Sequence, residues 1–196
     1  MPGMPRPTYP LTTERLLLRP FVQDDFEAVY AIESRPDVMR YLYWEPRTRV
    51  EVRTSLDRRV TMTAIDDRSD ALRLAVLLKD SGELIGDFSL RLRSREHRQG
   101  EIGFMFHPDH HGQGYASEAG AAMLRLGFET IGLHRIAGSC DARNGASARL
   151  MERLGMRLEA TLRETEYVKG VWCDELIYGM LADEWRDRAA ASGSWA

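Results

Sequence analysis

Apolar positions fall into two rhythms along this chain, short strand-like blocks and four longer stretches with helical spacing. Glu14-Arg15-Leu16-Leu17-Leu18-Arg19 reads as a short buried strand ended by Pro20. From Asp24 to Ser34, Phe26, Val29, Tyr30 and Ile32 recur at near-helical intervals, which predicts a helix that stops before Pro36. Thr48 to Ala64 reads as a second, more polar helix, with Val52, Leu56, Val60 and Thr63 on one stripe. Between them, residues 35–47 read as irregular and aromatic, carrying Tyr41, Tyr43 and Trp44.

Strands follow. Leu72 to Leu78 and Glu83 to Leu92 flank Asp80-Ser81-Gly82, a hairpin signal, and Gly100 to His107 is a further strand ended by Pro108. A long amphipathic helix is predicted over Tyr115 to Thr130, then a strand over Arg135 to Cys140. Asn144 to Leu154 reads as a helix with an Asn cap at its start and Gly155 at its end. Strands at Arg157 to Val168 and Trp172 to Leu181 precede a polar tail from Asp183. With no repeat and no linker, the order indicates one α/β domain over residues 1–196, built on a mixed sheet rather than a doubly wound one. Residues 1–10 form an N-terminal extension and residues 186–196 a tail, both expected to be poorly ordered.

Composition narrows the function classes. A net charge of −3 and a pI near 6.0 give no bulk attraction to nucleic acid or anionic membrane. No apolar run approaches the roughly 20 residues that span a bilayer. The proline-rich start lacks a signal-peptide core, and Cys140 and Cys173 have no CxxC spacing, which fits a reducing cytoplasm.

The most informative stretch runs from Glu101 through Phe104-Met105-Phe106 to His111-Gly112-Gln113-Gly114-Tyr115-Ala116, where the long helix begins. Glycines let a backbone turn tightly and let amide N–H groups approach a ligand. At a helix N-terminus those free amides and the macrodipole favour an anion such as phosphate. The plain alternative is a tight turn and nothing more. The stretch is neither a P-loop, which needs Gly-Lys-Ser/Thr, nor a Gly-x-Gly-x-x-Gly dinucleotide fingerprint.

His111 to Ala116 resembles the pyrophosphate-binding motif of the GNAT acetyltransferase superfamily, Arg/Gln-x-x-Gly-x-Gly/Ala, with His111 departing from the usual Arg or Gln. The resemblance extends to Thr13-Glu14-Arg15-Leu16-Leu17-Leu18-Arg19-Pro20, Gly114-Tyr115-Ala116-Ser117-Glu118-Ala119, Asn144-x-x-Ser147, Leu154-Gly155-Met156 and Glu166-Tyr167-x-x-Gly170-x-Trp172-x-Asp174. Together these are similar to the RimJ/RimL-like group, which acetylates ribosomal-protein N-termini. It implies about seven mostly antiparallel strands with a central splayed parallel pair, flanked by four or more helices. It also implies acetyl-CoA as co-substrate and no metal. The pantetheine arm would extend the backbone hydrogen bonding of Phe104, Met105 and Phe106, and the diphosphate would sit on His111, Gly112, Gln113, Gly114, Tyr115 and Ala116. Asn144 would cap its helix and contact the pantetheine. A homodimer is implied too.

Acetyl transfer from a thioester to an amine needs a base, a donor for the developing oxyanion, and an acid for the departing thiolate. Glu164 and Glu166 would share one face of a regular strand, and two nearby carboxylates raise one pKa toward the value a base needs. The resemblance places the base at Glu166, with Glu101 as the rival because many GNAT enzymes carry a glutamate there. It places the acid at Ser147. The plain readings are a solvated strand face for the glutamates and a helix-cap role for Ser147. Neither cysteine has an adjacent base, so direct attack through a ternary complex is the default over a covalent intermediate. His107, His110 and His111 lack a clear fourth ligand for a metal. The leading expectation is an N-acetyltransferase acting on a protein N-terminal amine. The alternatives are a small-molecule amine acceptor, a longer donor such as succinyl-CoA, or a non-catalytic acyl-CoA-binding module.

Overall fold

The computed structural model describes residues 5–67 and 69–191. Among these residues eight strands form one sheet in the order β1-β2-β3-β4-β5-β6-β8-β7. They are β1 (Leu11–Thr12), β2 (Leu16–Pro20), β3 (Ala71–Leu78), β4 (Leu84–Ser94), β5 (Gln99–Phe106), β6 (Arg135–Asp141), β7 (Arg157–Val168) and β8 (Val171–Leu181). Every neighbouring pair is antiparallel except β5 and β6. Among the described residues six α-helices accompany them: α1 (Phe26–Glu33), α2 (Pro36–Met39), α3 (Arg49–Arg59), α4 (Tyr115–Arg125), α5 (Gly145–Arg153) and α6 (Ala182–Ala191).

The helices divide between the two faces of the sheet because their apolar stripes do. On one face, Met123 and Leu124 of α4 and Leu150 and Met151 of α5 pack on Phe88, Leu90, Ile102 and Ile136 in the largest cluster. On the other, Phe26 and Val29 of α1 and Val52 and Leu56 of α3 cover Ala75 and Leu77. Each of the larger apolar side chains contributes about 1.5–3 kcal/mol by leaving water. The helix predicted at 115–130 keeps α geometry to Arg125 and widens into a π-turn over Leu126–Thr130. There Gly127 lies so close to Ile136 that a Cβ would stand 2.5 Å from its Cδ1.

Three sequence expectations are corrected. The second helix stops at Arg59 rather than Ala64, because the chain then turns so that the Met62 carbonyl accepts the Arg73 N–H of β3. The segment at 35–47 contains a helical turn, α2, started by Pro36. The segment from Asp183 is not a polar tail as far as Ala191: it is α6, held by buried Trp185, which stacks on Phe128 and donates to Glu129 at 2.8 Å. Residues 192–196 of the expected tail and 1–4 of the expected extension lie outside the described residues. Tyr9, inside that extension, packs on the main core and donates its hydroxyl to the Thr63 carbonyl at 2.7 Å.

Candidate active site

Strands β5 and β6 pair over only three positions, Gln99↔Arg135, Gly100↔Ile136 and Glu101↔Ala137. Beyond them each strand keeps its outer partner, β4 as far as Phe106 and β8 as far as Asp141. Their inner edges therefore separate into a wedge whose backbone groups on β5 lack a strand partner. An unpaired strand edge is a template for an extended ligand carrying amides. The wedge opens into a cavity of about 940 Å³.

At the wide end of the wedge, β5 turns through Pro108–His110 into α4. Gly112 and Gly114 have φ of 75° and 83°, the left-handed region that glycine adopts without strain. Gly114 caps α4 with no side-chain acceptor, and the N–H groups of residues 112–116 find no backbone acceptor among the described residues. Amides left open at a helix start suit a phosphate. Phe104, Met105, Phe106, His111, Gly112, Gly114, Tyr115 and Ala116 all line the cavity. Gln113 does not: its side chain turns back to the Asp109 carbonyl at 3.2 Å. His111 places Nε2 3.2 Å from the Phe106 carbonyl and so ties the loop to the strand it leaves.

The loop is held from behind. Glu118, in the first turn of α4, accepts from the Thr13 hydroxyl at 2.6 Å, the Arg15 N–H at 2.7 Å and Arg15 Nε at 2.7 Å. Arg15 also donates to the Gln113 carbonyl at 3.0 Å and lies over the Tyr115 ring. Burial pushes the Glu118 carboxyl up, but the bonds from Thr13 and Arg15 outweigh it and leave it below its ordinary range. Two separate sequence motifs thus meet in one cluster. Arg153 of α5, which sequence reasoning missed, lines the same end and donates to Ser117 Oγ at 3.2 Å.

Past the splayed end of β6, Asn144 caps α5 by accepting the Ser147 N–H at 3.2 Å, and both residues line the cavity beside Cys140. Burial, with the charges of Asp141, Glu175 and Glu152, pushes the Cys140 thiol up to about 11. A thiol so raised is protonated at neutral pH and unsuited to nucleophilic attack.

Across the wedge stands Glu166, half-buried, lining the cavity and accepting a hydrogen bond from the Tyr43 hydroxyl. Burial and that bond push the Tyr43 phenol well up, so it stays a donor. The expected pairing of Glu166 with Glu164 is not found. The register of β7 shifts between Leu162 and Glu166, Glu164 has a φ of 47°, and its N–H donates to Asp174 at 2.8 Å. The bulge breaks the strand alternation, and Glu164 stays outside the cavity lining.

Glu175 takes that place. It lines the cavity and makes no hydrogen bond or ion pair among the described residues. Alternation on β8, counted from Cys173 opposite Glu166, would have found it. Glu101 lies at the closed end, where the strands still pair, and faces Arg93 at 3.3 Å, outside the lining. Among the described residues no three His, Cys, Asp or Glu come together as metal ligands. His107 accepts the Asp109 N–H, and His110 faces Glu83 at 3.2 Å.

Residues 15–157 match the family model described as acetyltransferase (GNAT) domain. The chain belongs to the GNAT acetyltransferase family. The Bacillus subtilis (strain 168) uncharacterized N-acetyltransferase YnaD is 34% identical over 175 residues, 89% of this chain and 98% of that protein. A GNAT-family acetyltransferase structure from Bacillus anthracis superimposes with a TM-score of 0.80 at 34% identity, covering 89% of this chain and 99% of that one. A spermidine N-acetyltransferase from Vibrio cholerae, solved with CoA and spermine, has a TM-score of 0.76 at 22% identity, covering 89% and 99%, and shows the shared fold. The chain is therefore an N-acetyltransferase that uses acetyl-CoA, and the open β5 edge and the α4 amides fit that co-substrate.

Proposed function

We propose that this GNAT enzyme transfers the acetyl group to the α-amine of a protein N-terminus, as the RimJ/RimL-like group does, by direct attack within a ternary complex. The observation that carries it is that Glu166 faces the same cavity as Ser147 and the open edge of β5. Acetyl-CoA supplies the acetyl group as a thioester. Its pantetheine arm lies along Phe104, Met105 and Phe106 beside Asn144, and its diphosphate on the loop 111–116 with its open amides at 112–116, with Arg153 as a nearby cation.

The acceptor arrives as an ammonium, and Glu166 takes one proton so that nitrogen can form the new C–N bond. As the C–S bond breaks, Ser147 passes a proton to the sulfur and is replenished by the second proton leaving nitrogen. Tyr43 holds the Glu166 carboxylate in place by its hydrogen bond. Glu101, engaged by Arg93 away from the cavity, takes no part in this scheme.

A peptide with a free N-terminus, set against the same peptide blocked at that amine and given only a lysine side chain, tests the acceptor. Acetylation confined to the free N-terminus supports the reading; acetylation of the lysine alone removes it. Two unpaired cysteines suit a reducing cytoplasm as the site of action. The enzyme works as a homodimer on this reading, and a monomer in light scattering removes that element alone.

A further inference from the structure

The two walls of the wedge carry opposite charge. On the wall made by β3, β4 and β5, Arg73 sits in the middle of an apolar strand, in register with Ser89 of β4, which is in turn in register with Gly103 of β5. All three residues line the cavity. The Arg73 guanidinium is fixed by two bonds to Asp87, Nε at 2.8 Å and Nη2 at 3.0 Å, which leaves Nη1 with no protein partner among the described residues. Behind it lies a closed set of ion pairs: Asp87 with Arg59 at 3.7 Å, Arg59 with Glu33, and Glu33 with Arg47 at 3.2 Å. That set holds three guanidiniums, Arg47, Arg59 and Arg73, against two carboxylates, Glu33 and Asp87. Guanidiniums keep their charge in proteins, so the cluster has an excess of one positive charge, and Arg73 is its member on the cavity.

The wall made by β6, β7 and β8 has the reverse balance. Glu166 meets only the neutral Tyr43 hydroxyl, and Glu175 meets no cation among the described residues. Asp141, in register with Glu175, is matched by Arg143 at 2.6 Å. Cys173, opposite Glu166, and Glu175 are two apart on β8 and share its face. An acceptor between these walls meets carboxylates on one side and a fixed guanidinium on the other.

We propose that Arg73 and Glu175 are specificity-determining residues: Glu175 holds the ammonium of the acceptor beside Glu166, and Arg73 takes a carbonyl or carboxylate oxygen close to that amine. This rests on the reading of the cavity as an acetyl-acceptor site. The substrate class is an amine bearing a nearby carbonyl or carboxylate oxygen, as in a peptide N-terminus or an amino acid. A linear polyamine would set a second ammonium against Arg73, a like-charge contact that works against binding.

The test compares three probe acceptors at saturating acetyl-CoA: a tetrapeptide with a free N-terminus, free leucine and spermidine. The wild type is expected to acetylate the tetrapeptide or leucine with a higher kcat/KM than spermidine. Arg73→Gln is expected to lower kcat/KM for the preferred acceptor by about tenfold or more, the size of one lost hydrogen bond to a charged group. It narrows the preference over spermidine by the same factor, and Arg73→Lys restores part of it. Calorimetry with acetyl-CoA on each preparation reports whether the variant is folded. Spermidine as the best acceptor of the wild type overturns the proposal, and so does turnover of none of the three. Equal slowing of peptide and spermidine in a folded Arg73→Gln removes the two-pole site and leaves the peptide reading standing. Leucine acetylated with the tetrapeptide refused keeps the two-pole site and removes the peptide reading.

Discussion

The Tyr43 hydroxyl donates to the Glu166 carboxylate and so joins the aromatic segment after α2 to β7 across the mouth of the cavity. Tyr43 is itself exposed, so the bond is made at the cavity rim rather than in the core. Lys169, at the turn between β7 and β8, reinforces the same crossing through the Met39 carbonyl at 2.8 Å. Glu166 is thereby presented to the wedge by two elements far apart in sequence.

If Glu166 is the base, Glu166→Gln lowers kcat by about 10²- to 10⁴-fold, the usual worth of a positioned general base. Its affinity for acetyl-CoA, read by calorimetry, stays near that of the wild type. Glu101→Gln, remote from the cavity and engaged by Arg93, leaves kcat within a few-fold. A reversal of these two effects moves the base to Glu101.

The clamp behind the loop that leads into α4 is both structural and acid-sensitive. Glu118 is held below its ordinary value of 4.5, so the stability it contributes is present above that pH and is lost as pH falls through its lower folded value. Glu118→Ala removes the bonds from Thr13 and Arg15 and costs about 1–3 kcal/mol. It also weakens acetyl-CoA binding by loosening the start of α4. Urea unfolding at pH 7 and at pH 4 checks this: the variant's deficit shrinks at the lower pH. A deficit that is constant across that range contradicts the clamp.

Cys140 supplies a test with the opposite pH sense. With the thiol raised from 9.0 to about 11, alkylation by iodoacetamide stays slow at pH 8 and climbs only as pH passes 10. Between those two values the folded chain holds a proton that the unfolded chain has lost, so this thiol's contribution to stability falls as pH rises above 9.0. Fast alkylation at pH 7 would instead identify a reactive thiolate and reopen a covalent route.

Helix α6 has one buried side chain among its described residues, Trp185. Trp185 is buried against Phe128 and bonded to Glu129. Trp185→Ala is expected to cost about 3–5 kcal/mol, in the range of large aromatic truncations. A loss below about 1 kcal/mol in urea unfolding would show that α6 docks without that anchor.

What the sequence made legible is what depends on local spacing. All strands but the two-residue β1 and most helices followed from periodicity, and the cap of α5 from Asn144 three residues before Ser147. The amide-rich start of α4 followed from Gly112 and Gly114. The features that escaped depend on register or on a single residue. Trp185 is one bulky apolar side chain within Asp183-Glu184-Trp185-Arg186-Asp187-Arg188, a stretch whose charges mask its helix. The bulge before Glu166 cannot be read from alternation, which assumes a regular strand, and so Glu164 was expected where Glu175 stands. Arg73 and Glu175 are 102 residues apart and share the cavity only through the order of the sheet. Arg73 did leave a trace: it is the one charged residue in Ala71–Leu78.

If the wedge and the α4 amides form the acetyl-CoA site, calorimetric titration of the wild type beside Gly114→Asp reads it out. Gly114 has a φ of 83° and caps α4, so aspartate there strains the backbone and sets a negative charge against the diphosphate. The wild type is predicted to bind saturably with a micromolar Kd, about −8 kcal/mol. Folded Gly114→Asp is predicted to show no measurable heat of binding. A wild type that binds no acetyl-CoA, or a folded Gly114→Asp that binds it equally well, means that the wedge and the α4 amides are not the site.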